Sequence, residues 1–197
     1  MLKIGLCGGM GAGKTIVGKL LDEFGIPCIS SDELARVAVE KGNKCLEELT
    51  EYFGKKIIYP DGTLNRSVLA AIAFSSPENS EMLNKITHPY ITELLNQRIL
   101  TLETDSKAVF IDAPLLFESG LDREFDFNVA VVADTDIRVS RAIMRDGISA
   151  EQALARIGKQ KSNEFLIENC DYYIENNVSL DKLREKVEML LQKLGVI

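Results

Sequence analysis

Gly8-Gly9-Met10-Gly11-Ala12-Gly13-Lys14-Thr15 fits the pattern G-x-x-x-x-G-K-[ST], and its surroundings decide the fold. Leu2–Cys7 before it is a short apolar run, and Lys14–Phe24 after it places Val17, Leu20, Leu21 and Phe24 at helical spacing. Strand, glycine-rich turn and helix, in that order, are what a phosphate-binding loop requires. Glycines let the backbone curl so that successive N–H groups point at phosphate oxygens with no Cβ in the way. A helix opening near Lys14 adds the partial positive charge of its N-terminus. In such a loop Gly9, Met10, Gly11, Ala12 and Gly13 form the cradle, Lys14 reaches the β- and γ-phosphates of a nucleotide, and the Thr15 hydroxyl sits on Mg²⁺. The competing reading is a glycine-rich strand-to-helix turn that binds nothing.

Outward from this loop the same alternation continues. Gly25 and Pro27 stop the first helix, and Ile26–Ile29 reads as a second buried strand. Ala108–Ile111 ending at Asp112, Val129–Ala133 and Tyr172–Ile174 are further β-rich runs, and Leu180–Leu194 has helical periodicity. Short apolar strands alternating with helices predict an α/β fold with a parallel sheet covered on both faces. Two stretches interrupt the pattern. Residues 42–105 hold amphipathic helices and the turn Tyr59-Pro60-Asp61-Gly62, and 135–169 is helical and carries Arg138, Arg141, Arg145, Arg156, Lys159 and Lys161. Insertions of this kind fall after strand ends, where ligands bind. The expected organisation is therefore a single domain whose core is 1–41, 106–134 and 170–197. The first insertion, 42–105, is an acceptor-binding subdomain, and the second, 135–169, is a lid.

Composition narrows the function. The 197 residues are 46% hydrophobic and 27% charged, with a formal net charge of −7. That suits one compact core and argues against a general nucleic-acid or membrane-surface binder, since both ligands are polyanions. No apolar run reaches the roughly 18 residues of a membrane span, and a core strand starts almost at Met1, so a cytoplasmic protein is expected. Cys7, Cys28, Cys45 and Cys170 are too scattered for a CxxC motif and read as reduced thiols. A guanine-specifying N-K-x-D is missing after both Asn43-Lys44 and Asn84-Lys85. What remains is a small-molecule kinase or, from a different class, a regulatory module that senses nucleotide without chemistry.

A kinase needs a base, an acceptor pocket and mobile cations. Asp32 follows the second strand and reads either as the base at an acceptor hydroxyl or as the N-cap of a helix starting near Glu33. Asp112 reads either as a carboxylate that holds Mg²⁺ through water or as a strand-end turn residue before Pro114. Arg141 and Arg145, four apart, share a helix face and either fold over phosphates or form a solvated basic face. His88, the sole histidine, stands before Pro89 and reads as a turn or helix-start residue; Arg66 reads as an exposed cation.

Together these residues resemble the dephospho-coenzyme A kinase family, over nearly the whole chain. The resemblance runs through Gly5–Val17, Ser31-Asp32 with Leu34-Ala35-Arg36, Asp61-Gly62-Thr63-Leu64-Asn65-Arg66, and Thr87-His88-Pro89. It continues through Ala113-Pro114-Leu115-Leu116-Phe117-Glu118, then Arg141, Arg145, Arg156 and Gln160, and Asp171 to Ile174 leading into Asn176. It implies a parallel five-stranded core with a helical acceptor-binding insertion and a helical lid. It also implies transfer of the ATP γ-phosphate, with Mg²⁺, to the ribose 3′-hydroxyl of dephospho-coenzyme A, in a monomer or small homo-oligomer. By position Asp32 looks like the family's catalytic aspartate, and Arg66, His88 and Leu115 look like residues around the acceptor. Arg141 is similar to the lid arginine near the phosphates and Asn176 to a residue near the adenine, with Arg145 also on the nucleotide. Two positions depart from the family pattern: Ser30-Ser31-Asp32 replaces a common Asp-Ala-Asp, and Leu166 stands where a basic residue is common.

Overall fold

β1 (Leu2–Cys7) lies at the centre of a five-stranded parallel sheet in the order β2-β3-β1-β4-β5. The other strands are β2 (Cys28–Ser30), β3 (Ala108–Asp112), β4 (Phe127–Val132) and β5 (Tyr172–Glu175), and β1 itself pairs with β3 and β4. Side chains alternate between faces along each strand, and here both faces are buried. Ile4, Leu6, Phe110, Val129 and Val131 point to one face, where α1 (Lys14–Glu23) and α9 (Leu180–Lys193) cover them with Val17, Leu21, Leu183, Val187 and Leu191. Cys7, Ala130 and Val132 point to the other face and pack with Ala113, Leu116 and Leu166. Leu166 belongs to α8 (Asn163–Asn169), so the position that departs from the family pattern is a core position. The remaining helices of this unit are α6 (Thr135–Asp146) and α7 (Ala150–Ile157), the latter opened by a Ser149–Gln152 capping box.

These elements come from a computed structural model that describes residues 1–102 and 106–197, and they form one of two compact units, residues 1–29 with 106–197. The other unit is Ser30–Leu102. It holds α2 (Ser31–Ala38), α3 (Lys44–Phe53), α4 (Arg66–Ala73) and α5 (Pro77–Thr101), gathered around Ala38, Cys45, Leu49, Phe53, Ile57, Leu69 and Ala73. Because α2 packs on α5, this unit starts at Ser30 and not at 42. Residues 103–105, the end of the insertion expected at 42–105, lie outside the described residues. The expected turn at 59–62 is present, with the Gly62 N–H donating to the Tyr59 carbonyl at 2.9 Å and Asp61 Oδ1 accepting from the Thr63 N–H and hydroxyl.

Leu21 is fully buried between α1 and the sheet. Leu21→Ala should therefore lower unfolding stability by about 2–5 kcal/mol, read from urea denaturation with an unchanged m-value. A loss below roughly 1 kcal/mol would mean that this face collapses around the gap and is not a fixed core.

Candidate active site

The loop between β1 and α1 is held by its carbonyls. Lys14 Nζ donates to the Gly8 carbonyl at 2.9 Å, and the Ala12 N–H to the Gly9 carbonyl at 3.1 Å. Arg138 Nε donates to the Met10 carbonyl at 2.9 Å, and Arg141 Nη1 to the Gly11 carbonyl at 3.2 Å. Asn176 Nδ2 donates to the Ala12 carbonyl at 2.8 Å. The loop thus has its acceptors turned toward protein donors. Two of its own N–H groups, those of Met10 and Ala12, are spent on Gln160 Oε1 and the Gly9 carbonyl, so an anion would be met by the others. α1 has no side-chain cap and no acidic residue in its first turn, so its opening N–H groups and its dipole stay available to an anion.

Two glycines are required by what lies behind them. Gly11, at φ 76°, would drive a Cβ into the Arg138 backbone, and Gly13, at φ 102°, would drive one into the Asn176 amide. Left-handed backbone and close approach coincide at both positions, which only glycine tolerates.

Arg138, which the sequence does not single out, is the most buried cation of the site at 3% exposure. Besides Met10 it reaches Gln160 Oε1 at 3.3 Å and Asn163 Oδ1 at 3.4 Å. Gln160 Oε1 in turn accepts from the Met10 N–H at 2.8 Å, so Met10 is gripped at both ends of its peptide. Asn163 Nδ2 donates to the Ala133 carbonyl at 2.9 Å and fixes this network to the end of β4. All these partners are neutral, and burial pulls the guanidinium below its ordinary value. The usable sequence signal is its spacing, three residues before Arg141 on the same helix, with apolar Ile137 and Val139 beside it.

The other expected residues fall into two groups. Within the sheet unit, the Lys14 ammonium is 4.0 Å from Asp112 Oδ1, and Thr15 is exposed in the first turn of α1. Arg141 lies across the loop, its Nη2 also donating to the Asn176 carbonyl at 3.0 Å. Asn176 is 2% exposed and turned to the loop backbone and Arg141. Arg145 instead makes a forked contact with Asp146 at 2.8 and 2.9 Å, which raises its own value and lowers that of Asp146. Leu115 is 59% exposed and lines a cleft of about 140 Å³ with Gly8, Gly9, Glu118, Lys159 and Gln160.

Asp32, Arg66 and His88 belong to the helical unit. Asp32 is not the N-cap of α2: the Ser30 hydroxyl accepts from the Glu33 N–H at 3.3 Å and does that work, leaving the exposed Asp32 carboxylate in the first turn. Ser30 therefore has a clear local role where the family commonly has Asp. Arg66 opens α4, with Nη2 at 3.5 Å from the Arg36 carbonyl. His88 is neither in a turn nor at a helix start. It lies inside α5, which runs through Pro89, and burial lowers its pKa.

Arg138→Ala should cost roughly 1–3 kcal/mol of stability, because it strips the Met10 carbonyl of its buried donor. Arg145→Ala, on an exposed pair, should leave the urea midpoint unchanged. Equal midpoints for both variants would show that the loop does not depend on Arg138.

Comparison with known proteins agrees with this geometry. A family model described as "Dephospho-CoA kinase" matches residues 2–182. A dephospho-CoA kinase of Corynebacterium efficiens is 42% identical over 195 residues, covering 98% of each chain. One of Listeria innocua is 40% identical over 191 residues, covering 96% of each. Among solved structures, a Thermus thermophilus protein superposes with a TM-score of 0.85 at 34% identity, over 98% of this chain and 97% of that one. Shikimate kinase from Acinetobacter baumannii, at TM-score 0.53 and 18% identity over 99% and 93% of the two chains, shares the fold alone. Near-complete coverage at this identity, on a chain built around a phosphate loop, places it in one family: the chain belongs to the dephospho-CoA kinases.

Proposed function

We propose that this chain transfers the γ-phosphate of ATP to the ribose 3′-hydroxyl of dephospho-coenzyme A, giving coenzyme A and ADP. The observation that carries the reading is the loop Gly8–Thr15, held from behind by its carbonyls and opening an uncapped helix. Family membership supplies the acceptor.

Transfer is direct and in line, with no phosphoenzyme. Loop amides and the N-terminus of α1 bind the triphosphate, and Lys14 neutralises charge on its β- and γ-oxygens. The short tether of Lys14 to the Gly8 carbonyl and its proximity to Asp112 hold the ammonium at the loop before nucleotide arrives. Asp32 orients the acceptor hydroxyl and takes its proton; its exposed carboxylate, released from capping by Ser30, suits that task. Arg66, His88 and Leu115 contact the acceptor. Arg141 and Arg145 stabilise charge in transfer, and residues 135–169 act as the lid that excludes water. That exclusion matters because an open site would hydrolyse ATP. Asn176 serves the nucleotide by fixing the loop.

The donors present fit Mg²⁺. Among the described residues no cluster of three or more His, Cys, Asp or Glu side chains is arranged to hold a metal. Thr15 and Asp112 offer only hard oxygens, and Mg²⁺ is commonly bound by one or two protein groups with waters and substrate phosphates. Bound there, the ion would neutralise phosphate charge.

ADP release should be followed with ATP and Mg²⁺ against dephospho-coenzyme A, AMP, dTMP and shikimate, with a control lacking acceptor. Turnover should depend on dephospho-coenzyme A, with coenzyme A identified by mass. Dependence on another acceptor would keep a kinase and discard this acceptor; silence throughout, with ATP still bound, would favour a nucleotide sensor. Asp32→Asn should lose about 10²-fold or more in turnover while still binding ATP, and unchanged turnover would remove Asp32 from the mechanism. Lys14→Ala should weaken ATP binding as well as turnover, and wild-type behaviour would undo the assignment of the loop.

A further inference from the structure

Cys7 and Cys170 stand 163 positions apart in the chain, yet their sulfur atoms are 3.6 Å apart. Cys7 is the last residue of β1, immediately before the phosphate loop, and Cys170 closes α8 just ahead of β5. They share the apolar cluster that Ala130, Val132 and Leu166 form on one face of the sheet. Cys7 is buried and Cys170 half-buried, and the phosphoryl-transfer reading uses neither.

The other two thiols differ. Burial pushes Cys28 up to about 12 and Cys45 up to about 11, so both remain protonated and unreactive near neutral pH. At the close pair the two sulfurs share one S–H···S contact, which holds Cys170 below its ordinary value and pushes Cys7 up. Cys170 is the more exposed of the two, and a resolving thiol already touches it.

We propose that Cys7 and Cys170 form an oxidative modification site, at which a hydroperoxide converts the two thiols to a disulfide that ties the end of β1 to the start of β5 and slows phosphoryl transfer. The Cys170 thiolate attacks a peroxide oxygen, the O–O bond breaks, and Cys170 sulfenic acid forms as the peroxide is reduced. Cys7 sulfur then attacks the sulfenic sulfur. The S–S bond forms, and hydroxide leaves with the Cys7 proton as water. With hydrogen peroxide, two thiols are oxidised and two waters are released. The sulfurs must close from 3.6 Å to about 2.0 Å, so the bond pulls on the residue that leads into Gly8, whose carbonyl anchors Lys14.

The effect on turnover rests on the kinase reading; the bond itself does not. After peroxide treatment, then unfolding and alkylation without reduction, mass spectrometry of digested protein should find the Cys7 and Cys170 peptides joined, with Cys28 and Cys45 alkylated. Turnover should fall about tenfold or more, since misplacing positioned groups by an ångström costs up to about 10²-fold, and dithiothreitol should restore it. Cys170→Ser should keep basal turnover and be unaffected by peroxide. ADP affinity of oxidised and reduced protein, measured by calorimetry, reads the same loop without any acceptor. If turnover is absent for every acceptor, the kinase reading fails while the mass and affinity results still decide this one. Free Cys7 and Cys170 after peroxide would overturn the site. A joined pair with unchanged turnover and ADP affinity, or equal peroxide inhibition of Cys170→Ser, would overturn its control of the loop.

Discussion

Everything in the site depends on where the carbonyls of the phosphate loop go. A curled peptide chain cannot show N–H groups to an anion unless the C=O groups around them are satisfied elsewhere. Here five successive carbonyls, Gly8 to Ala12, each have a named donor: Lys14, the Ala12 amide, Arg138, Arg141 and Asn176. Those donors come from α1, the loop itself, α6 and the residue after β5. The loop shape is thus a property of the sheet unit as a whole. Its organisation is in place before a ligand supplies any interaction energy, so binding need not spend that energy on ordering the loop.

Much of the architecture was legible in the sequence because apolar runs of strand length and helices with one apolar stripe leave unambiguous periods. The misses have local causes. The second strand, expected at Ile26–Ile29, begins at Cys28 because Gly25 and Ile26 still belong to the helix end: Gly25 N–H bonds to Asp22 and Ile26 N–H to Leu21. β4 starts at Phe127, two residues before the expected Val129, because it pairs with Ile4 across from it. His88 before Pro89 reads as a turn or helix start, yet α5 continues through both. Leu83, Ile86, Tyr90, Ile91 and Leu94 flank the proline and pack against the core of the helical unit. Tertiary burial outweighs a proline cost of about 3 kcal/mol.

The site was legible to the extent that it is a contiguous motif. Gly8–Thr15 states its chemistry in eight residues, and the family resemblance adds the acceptor. What the sequence withholds is which side chains serve the loop's back. Arg138, Gln160, Asn163 and Asn176 act through the fold, since each reaches backbone or a neighbour far away in the chain. A basic residue on a helix reads as a solvated charge until α6 is set against the loop. Similarly, the capping reading of Asp32 falls away only in the fold, where Ser30 caps α2.

The sheet also has a bearing on how the chain behaves in company. Its longer strands are inside, and its two borders are β2 and β5, of three and four residues. Lys186 Nζ lies 2.7 Å from the carbonyl of Glu175, the last residue of β5, and 3.7 Å from its carboxylate. Brevity and charge at a border leave little template for another chain to pair with, which is how natural sheets resist edge-to-edge aggregation. A core that must be parallel and apolar on both faces to carry a phosphate loop is thereby kept from being sticky at its margins.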